Sequence, residues 1–305
     1  MIFLMENDTL SEDSIKKALN EKGKPHLCVF DFSEFEKVSR KMGINEKTAA
    51  EIFSSELSKF ESHDGYDFIV LNIPDIVNLK REPQRVCVYF SRDLLIFISN
   101  DDPVITNIID SIRTEPLKNL SLSKFIHLYF DKLTFDDSLD LRNLEEEIAD
   151  LEDELMLFRK IDLVDLMTFR KKLLSLKLYY QQLLEVYEGI EQNENALIDL
   201  KEERNFRILS GRANRLYNGV LNLRDYVTQV REAYQTQIDI NLNSIMKVFT
   251  VITSFFFPLT LIVGWYGMNL KMPEFGWRYG YLFVIGISVM TAIGTLLFFK
   301  RKKWL

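Results

Sequence analysis

VFTVITSFFFPLTLIVGWYGM, residues Val248–Met268, runs for 21 residues without a charge. A second uncharged run of 21, YGYLFVIGISVMTAIGTLLFF, covers Tyr279–Phe299. At 1.5 Å of rise per residue, about 20 apolar residues cross a hydrocarbon core of roughly 30 Å, so each run is long enough to span a bilayer. Only ten residues, NLKMPEFGWR (Asn269–Arg278), lie between them, which predicts a transmembrane hairpin. Lys247 precedes the first run, and Lys300, Arg301, Lys302 and Lys303 follow the second, whereas the loop carries only Lys271 and Arg278. This asymmetry puts both ends of the hairpin in the cytoplasm and the loop outside an inner or plasma membrane. Trp265, Tyr266, Trp277, Tyr279 and Tyr281 gather at the loop side, as an interfacial aromatic belt does. The opening residues MIFLMENDTL have no basic segment and no long apolar core, so they read as a first strand and not as a secretory signal.

The composition of all 305 residues hides this concentration of apolar residues at one end. The chain is 47% hydrophobic and 27% charged, with a net charge of −7. Twelve Gly and seven Pro exclude a collagen-like or low-complexity chain. The apolar share excludes general disorder. The acidic balance excludes a dedicated nucleic-acid binder, which would present a basic stripe. Cys28 and Cys87 both lie in apolar runs and read as buried thiols, too few for a cysteine-based zinc site.

Residues 1–125 read as a cytoplasmic α/β domain. Strands are predicted at 1–5, 26–32, 67–73, 85–90 and 94–99, and helical patterns at about 9–21, 33–42 and 46–60. Residues 126–243 read as a stalk of long coiled helices. Leu141, Leu144, Ile148, Leu151 and Leu155 step by three and four, and another helix covers about 164–190. Phe206, Leu209, Ala213, Leu216, Val220, Leu223, Val227, Val230 and Tyr234 keep the same step without a stop signal, which predicts one helix from about 200 to 266. The remaining segments are a first span at 244–268, an external loop at 269–278, a second span at 279–299 and a basic tail at 300–305.

Another face of that long helix is polar at the same spacing: Asn222, Asp225, Gln229, Glu232, Thr236, Asp239 and Asn243. The steps continue through the first span as Met246, Thr250, Thr253, Phe257, Thr260 and Gly264. Polar groups at membrane depth face a bundle interior or a water-filled path, although a threonine can also satisfy itself by bonding its own backbone. Two spans cannot enclose a pore, but several copies can, with the first span inside. Rings of Asp225, Glu232 and Asp239 would then concentrate cations at the cytoplasmic mouth. Asn243 and the threonines would offer neutral oxygens, and Met246 and Phe257 would form apolar constrictions.

The first span ends in Tyr266-Gly267-Met268-Asn269. Gly267 permits a close backbone approach, and Asn269 offers an amide oxygen suited to a hard cation that keeps part of its water shell. With PLTLIVGWYGMN (Pro258–Asn269), MPE (Met272–Glu274) and the KKWL terminus (Lys302–Leu305), the sequence resembles the CorA family of divalent-cation channels. The resemblance is specific from Asn243 to the end and holds in outline before it. It implies a homopentameric funnel, a pore lined by the first spans, and passive uptake of Mg²⁺, with Co²⁺ and Ni²⁺ also passing. It implies that Gly267, Met268 and Asn269 form the outer selectivity element, and that Asn243, Met246, Phe249, Phe257 and Thr260 face the pore. Where the family more often has aliphatic or Met residues, Phe249 and Phe257 place bulkier rings. Glu274, in a loop that is usually acidic, is offset by Lys271. Family members sense cytoplasmic Mg²⁺ through carboxylates. The acid-rich stretch Asp131–Glu154 is a candidate for that role and equally for a solvated helix.

No phosphate-binding, dinucleotide, zincin or hydrolase motif is present, and His26, His63 and His127 lack ligand spacing, so an enzyme is not expected. No cofactor is expected beyond the transported or regulatory cation. The alternatives are a zinc transporter of the related ZntB branch, which usually differs at the position of Met268, and a membrane-anchored coiled-coil scaffold or sensor.

Overall fold

The computed structural model describes the chain except for residues 7, 22, 43, 46–48, 51, 54–57, 77, 79, 80, 158–162, 270, 271 and 305. The chain divides into two units, Met1–Val230 and Arg231–Leu305.

The first unit is built on a sheet of seven strands: β1 (Ile2–Glu6), β2 (Thr9–Glu12), β3 (His26–Phe30), β4 (Lys59–His63), β5 (Tyr66–Ile73), β6 (Gln84–Ser91) and β7 (Leu94–Ser99). Their order is β2-β1-β3-β7-β6-β5-β4. Among the described residues only β3 and β7 pair in parallel, in register Cys28 to Ile96. The central strands are apolar at nearly every position because both faces of the sheet are covered. Cys28, Phe68, Val70, Cys87, Ile96 and Ile98 belong to a core shared with Phe35, from α2 (Phe32–Val38). On the other face, Phe97 meets Phe125 and Tyr129 at ring separations of 5.7 and 4.9 Å. These rings come from α4 (Leu122–Leu133), beside α3 (Pro103–Thr114). Asp102 caps α3 by accepting from the Val104 and Ile105 amides, and Pro103 at the first helical position loses no hydrogen bond.

Two edge strands depart from the sequence expectation. The helical pattern over 9–21 resolves into strand β2 and a short helix α1 (Ile15–Asn20). β2 buries almost nothing and is held by its backbone ladder to β1, so it carries no apolar period to read. The expected helix at 46–60 lies partly outside the described residues, and its end is strand β4, paired antiparallel with β5 across Asp64-Gly65. An Asp-Gly pair between two short runs is a hairpin signal.

A layer of helices follows: α5 (Asp137–Met156), α6 (Leu163–Gln192) and α7 (Leu200–Tyr266). Leu141, Leu144, Ile148 and Leu155 of α5 are buried, as are Phe206 through Val230 of the α7 seam. Phe206 is fully buried and packs edge-on against His127 and Phe130 at 5.7 and 5.9 Å. Gly189 lets α6 lie on β4, since a Cβ there would come within 2.2 Å of the Phe60 ring. The Asn195 amide ties the corner between α6 and α7 to the β4–β5 hairpin, donating to the Asp67 carboxylate at 2.7 Å and the His63 carbonyl at 2.8 Å.

The second unit contains α7 from Arg231 onward, a turn of 3-10 helix at Pro273–Gly276 and helix α8 (Gly280–Arg301). α7 remains helical through Pro258. Both helices are long and apolar enough to cross a membrane.

Candidate ion pathway

Within the second unit, α7 is exposed at every residue from Ile238 to Thr250, and a half-buried stripe begins only at Val251. Val251, Phe255, Pro258, Leu259, Ile262 and Tyr266 are half-buried. Glu232, Thr236, Asp239, Asn243, Met246, Thr250, Thr253, Phe257, Thr260 and Gly264 are all exposed. Phe249 is exposed too, and Phe257 exposes 68% of its surface. Asn222, Asp225 and Gln229, in the first unit, keep the same spacing and are also exposed. One copy of the chain therefore leaves the whole predicted stripe uncovered.

The threonines on the stripe are locally satisfied. Thr250 donates its hydroxyl to the Met246 carbonyl at 2.7 Å, Thr253 to Phe249 at 2.8 Å and Thr260 to Phe256 at 2.8 Å. This is the backbone bonding available to a membrane threonine. It uses the proton and leaves oxygen lone pairs, so each hydroxyl retains acceptor character toward a cation or its water shell. Phe257, Thr260, Leu261, Gly264, Trp265 and Met268 line a concavity of about 380 Å³. Leu261 and Trp265 were not expected on the pathway, Trp265 being expected in the aromatic belt. They lie one and four positions after Thr260 and Leu261 respectively, on the ridge next to the stripe, and that spacing was the available signal.

The end of the span is tightly folded. The Gly267 amide donates to the Val263 carbonyl at 2.8 Å. A Cβ at Gly267 would sit 2.8 Å from that same oxygen, closer than a side chain tolerates. The glycine is required by this close approach. Met268 and Asn269 follow, both exposed. Lys271 lies outside the described residues, as does the side chain of Glu274.

The acids of the stripe are not equivalent. Asp225 pairs with the neighbouring Arg224 at 3.0 Å, a contact that the stripe pattern did not reveal. Of the acid-rich stretch Asp131–Glu154, several members already have partners. Asp131 pairs with Arg212 at 2.8 Å, and Glu152 accepts from the Tyr226 hydroxyl. That bond pushes the Tyr226 phenol up to about 12. Asp137 accepts from the Tyr180 hydroxyl at 2.9 Å, and burial pushes its carboxyl up to about 6. Glu145, Asp150 and Glu154 are exposed. Among the described residues no three His, Cys, Asp or Glu side chains converge as metal ligands. The histidines are dispersed: His26 is buried near Asp13, His63 lies by Glu61 and His127 by Glu202.

An α/β domain with a layer of long helices, followed by two apolar helices joined by a short loop, defines a membrane-bound protein with a large soluble part. The chain belongs to the CorA-like Mg²⁺ transporter protein family, whose model matches residues 30–301. The family is one of transporters, not of enzymes. The chain is 27% identical to the cobalt/magnesium transport protein CorA of Thermotoga maritima over 81% of its own length and 72% of that protein's. It is 36% identical to the magnesium transport protein CorA of Helicobacter pylori over 35% of this chain and 33% of the other. The complete structure of the CorA magnesium transporter from Methanocaldococcus jannaschii shares its fold. The TM-score is 0.79 over 97% of this chain and 95% of that one, at 21% identity. The ZntB cytoplasmic domain from Vibrio parahaemolyticus is also similar in fold, with a TM-score of 0.64 over 78% of this chain and 99% of that one, at 13% identity.

Proposed function

We propose that this family member is a passive channel for hydrated Mg²⁺, with Co²⁺ and Ni²⁺ also admitted, built as a homopentamer around the exposed stripe of α7. The stripe itself carries the proposal: ten residues from Glu232 to Gly264 step by three and four, with polar side chains recurring into the span, on a stretch of α7 that one chain leaves largely exposed. A strict seven-residue period drifts by about 20° per heptad on a straight helix, so such a stripe keeps facing one axis only if helices supercoil around it. Copies of the same helix would supply that bundle. Both ends of the hairpin lie in the cytoplasm in this reading, and Gly267, Met268 and Asn269 stand at the outer mouth.

Each level of the bundle would be a ring. Glu232 and Asp239 raise the local cation concentration at the inner mouth, with Asp225 contributing less because Arg224 offsets it. Asn243 and the threonine oxygens offer neutral dipoles, which exchange water-shell contacts without holding the ion as tightly as a carboxylate. Met246, Phe249 and Phe257 form apolar narrowings that close by dewetting. The Asn269 amides select the hydrated cation. Domain limits at 125, 243, 268, 278 and 299 separate the α/β domain, stalk, first span, loop, second span and tail.

The purified chain in proteoliposomes should pass Mg²⁺ down its gradient without a proton gradient, and Asn269→Ala should reduce uptake to background while the oligomer stays intact by size-exclusion chromatography. Flux that required a pH difference, or that carried only Zn²⁺, would favour the ZntB-like alternative. Undiminished flux in the variant would remove Asn269 from the pathway.

A further inference from the structure

The loop side of the second unit holds another concavity, of about 480 Å³, which shares no residue with the one beside Phe257. Val263 of α7 and Val284 of α8 give it an apolar wall, Tyr266, Tyr281, Trp277 and Arg278 line it further, and Gly267 and Gly280 complete the lining. Trp277 is held in place from two sides. Its ring meets Phe283, in the first turn of α8, edge-on at 5.8 Å, and its carbonyl accepts from the Gly280 amide at 3.0 Å. Arg278 stands at the boundary where the uncharged run of α8 begins. At the start of α8, the Tyr279 side chain makes no capping bond.

Aliphatic wall, amphipathic rings and a single guanidinium follow one another over a few residues. That sequence matches the order of groups in a phospholipid: acyl chain, ester zone and phosphate. Tyr and Trp prefer the ester zone because one end of each is apolar and the other polar, and a guanidinium donates to phosphate oxygens in a fork. The loop carries Lys271 and Arg278 against Glu274, so its charge complements a net anionic headgroup better than a zwitterionic one. We propose that this concavity binds the headgroup and upper acyl chain of an anionic phospholipid. The inference rests on α7 and α8 crossing a membrane and is independent of which ion passes.

The test measures retained lipid, not flux, so it succeeds or fails separately from the channel reading. The full chain, in mixed micelles of phosphatidylglycerol and phosphatidylcholine with identical acyl chains, is examined by native mass spectrometry. One well-placed cation at the interface contributes about 1 kcal/mol, which predicts roughly fivefold preferential retention of phosphatidylglycerol. Arg278→Gln should bring the preference close to one, and Arg278→Lys should restore part of it. Val284→Trp, which fills the apolar wall, should lower retention of both lipids while far-ultraviolet circular dichroism shows unchanged helix content. Free glycerol phosphate should not compete, because it lacks the chain that lies on Val263 and Val284. Equal retention of the two lipids by the unaltered chain, or an undiminished preference in Arg278→Gln, would overturn the proposal. So would unchanged lipid retention in Val284→Trp accompanied by loss of the oligomer, which would assign the concavity to a neighbouring copy.

Discussion

Phe206 and Phe257 are the same side chain on the same helix in opposite surroundings. Phe206 is fully buried among Phe130, His127 and Tyr187, all from its own chain, while Phe257 exposes 68% of its surface. The contrast extends to their neighbours. The seam residues Leu209, Ala213, Leu216, Val220, Leu223, Val227 and Val230 are buried, whereas Met246, Phe249 and Leu261 are exposed. One chain completes the environment of the seam in the first half of α7. The second half leaves many of its apolar residues exposed, as a helix long and apolar enough to cross a membrane does.

The contrast can be broken most sharply at Phe206. Phe206→Ala leaves a cavity among rings that cannot collapse, and should cost about 3–5 kcal/mol in urea unfolding followed by circular dichroism. A cost under about 1 kcal/mol would mean that the seam is not a packed core.

A somewhat smaller effect is expected at Asp137, which sharpens the picture of the first unit's interior. Its native carboxyl is raised to about 6 by burial, from an ordinary 3.8. A raised acid binds its proton more tightly in the folded state, so its stabilisation is present below about pH 4 and is lost as pH rises through about 6. Between those limits the unaltered chain should lose on the order of 2–3 kcal/mol that Asp137→Asn does not lose. Parallel stability–pH curves for the two proteins would show that Asp137 does not titrate in this way.

The smallest effect on folding belongs to Phe257. Phe257→Ala removes a ring that its own chain leaves 68% exposed, so stability should change by less than about 0.5 kcal/mol. Flux in proteoliposomes should instead rise, because the ring narrows the proposed pathway. A large loss of stability with unchanged flux would place Phe257 in a packed interface and not at a constriction.

Most of the architecture is legible in the amino-acid sequence. The two uncharged runs, the short loop and the uninterrupted seam of α7 are one-dimensional patterns, and they specify the hairpin and the bounds of the long helix directly. The candidate stripe is legible for the same reason, since helical spacing places residues on a face without knowledge of the rest of the fold. The edge strands are not. TLSE of β2 and KFESH of β4 have no strong alternation, and their conformation is set by ladders to β1 and β5. Nor does spacing show that Asp225 is paired with Arg224, because neighbours in sequence do not share a helical face and meet only through the reach of their side chains.

The sequence by itself determined where the chain is apolar, how long α7 runs and which residues share a side of it, because these follow from local periodicity and from the solvent each segment requires. Tertiary structure decided the rest: the edge strands, the tie of Asn195 to the β4–β5 hairpin, the elevated carboxyl of Asp137, and the contrast between a buried Phe206 and an exposed Phe257. Each of these depends on atoms distant in sequence that remove water from a group or leave it uncovered, and no local pattern encodes that.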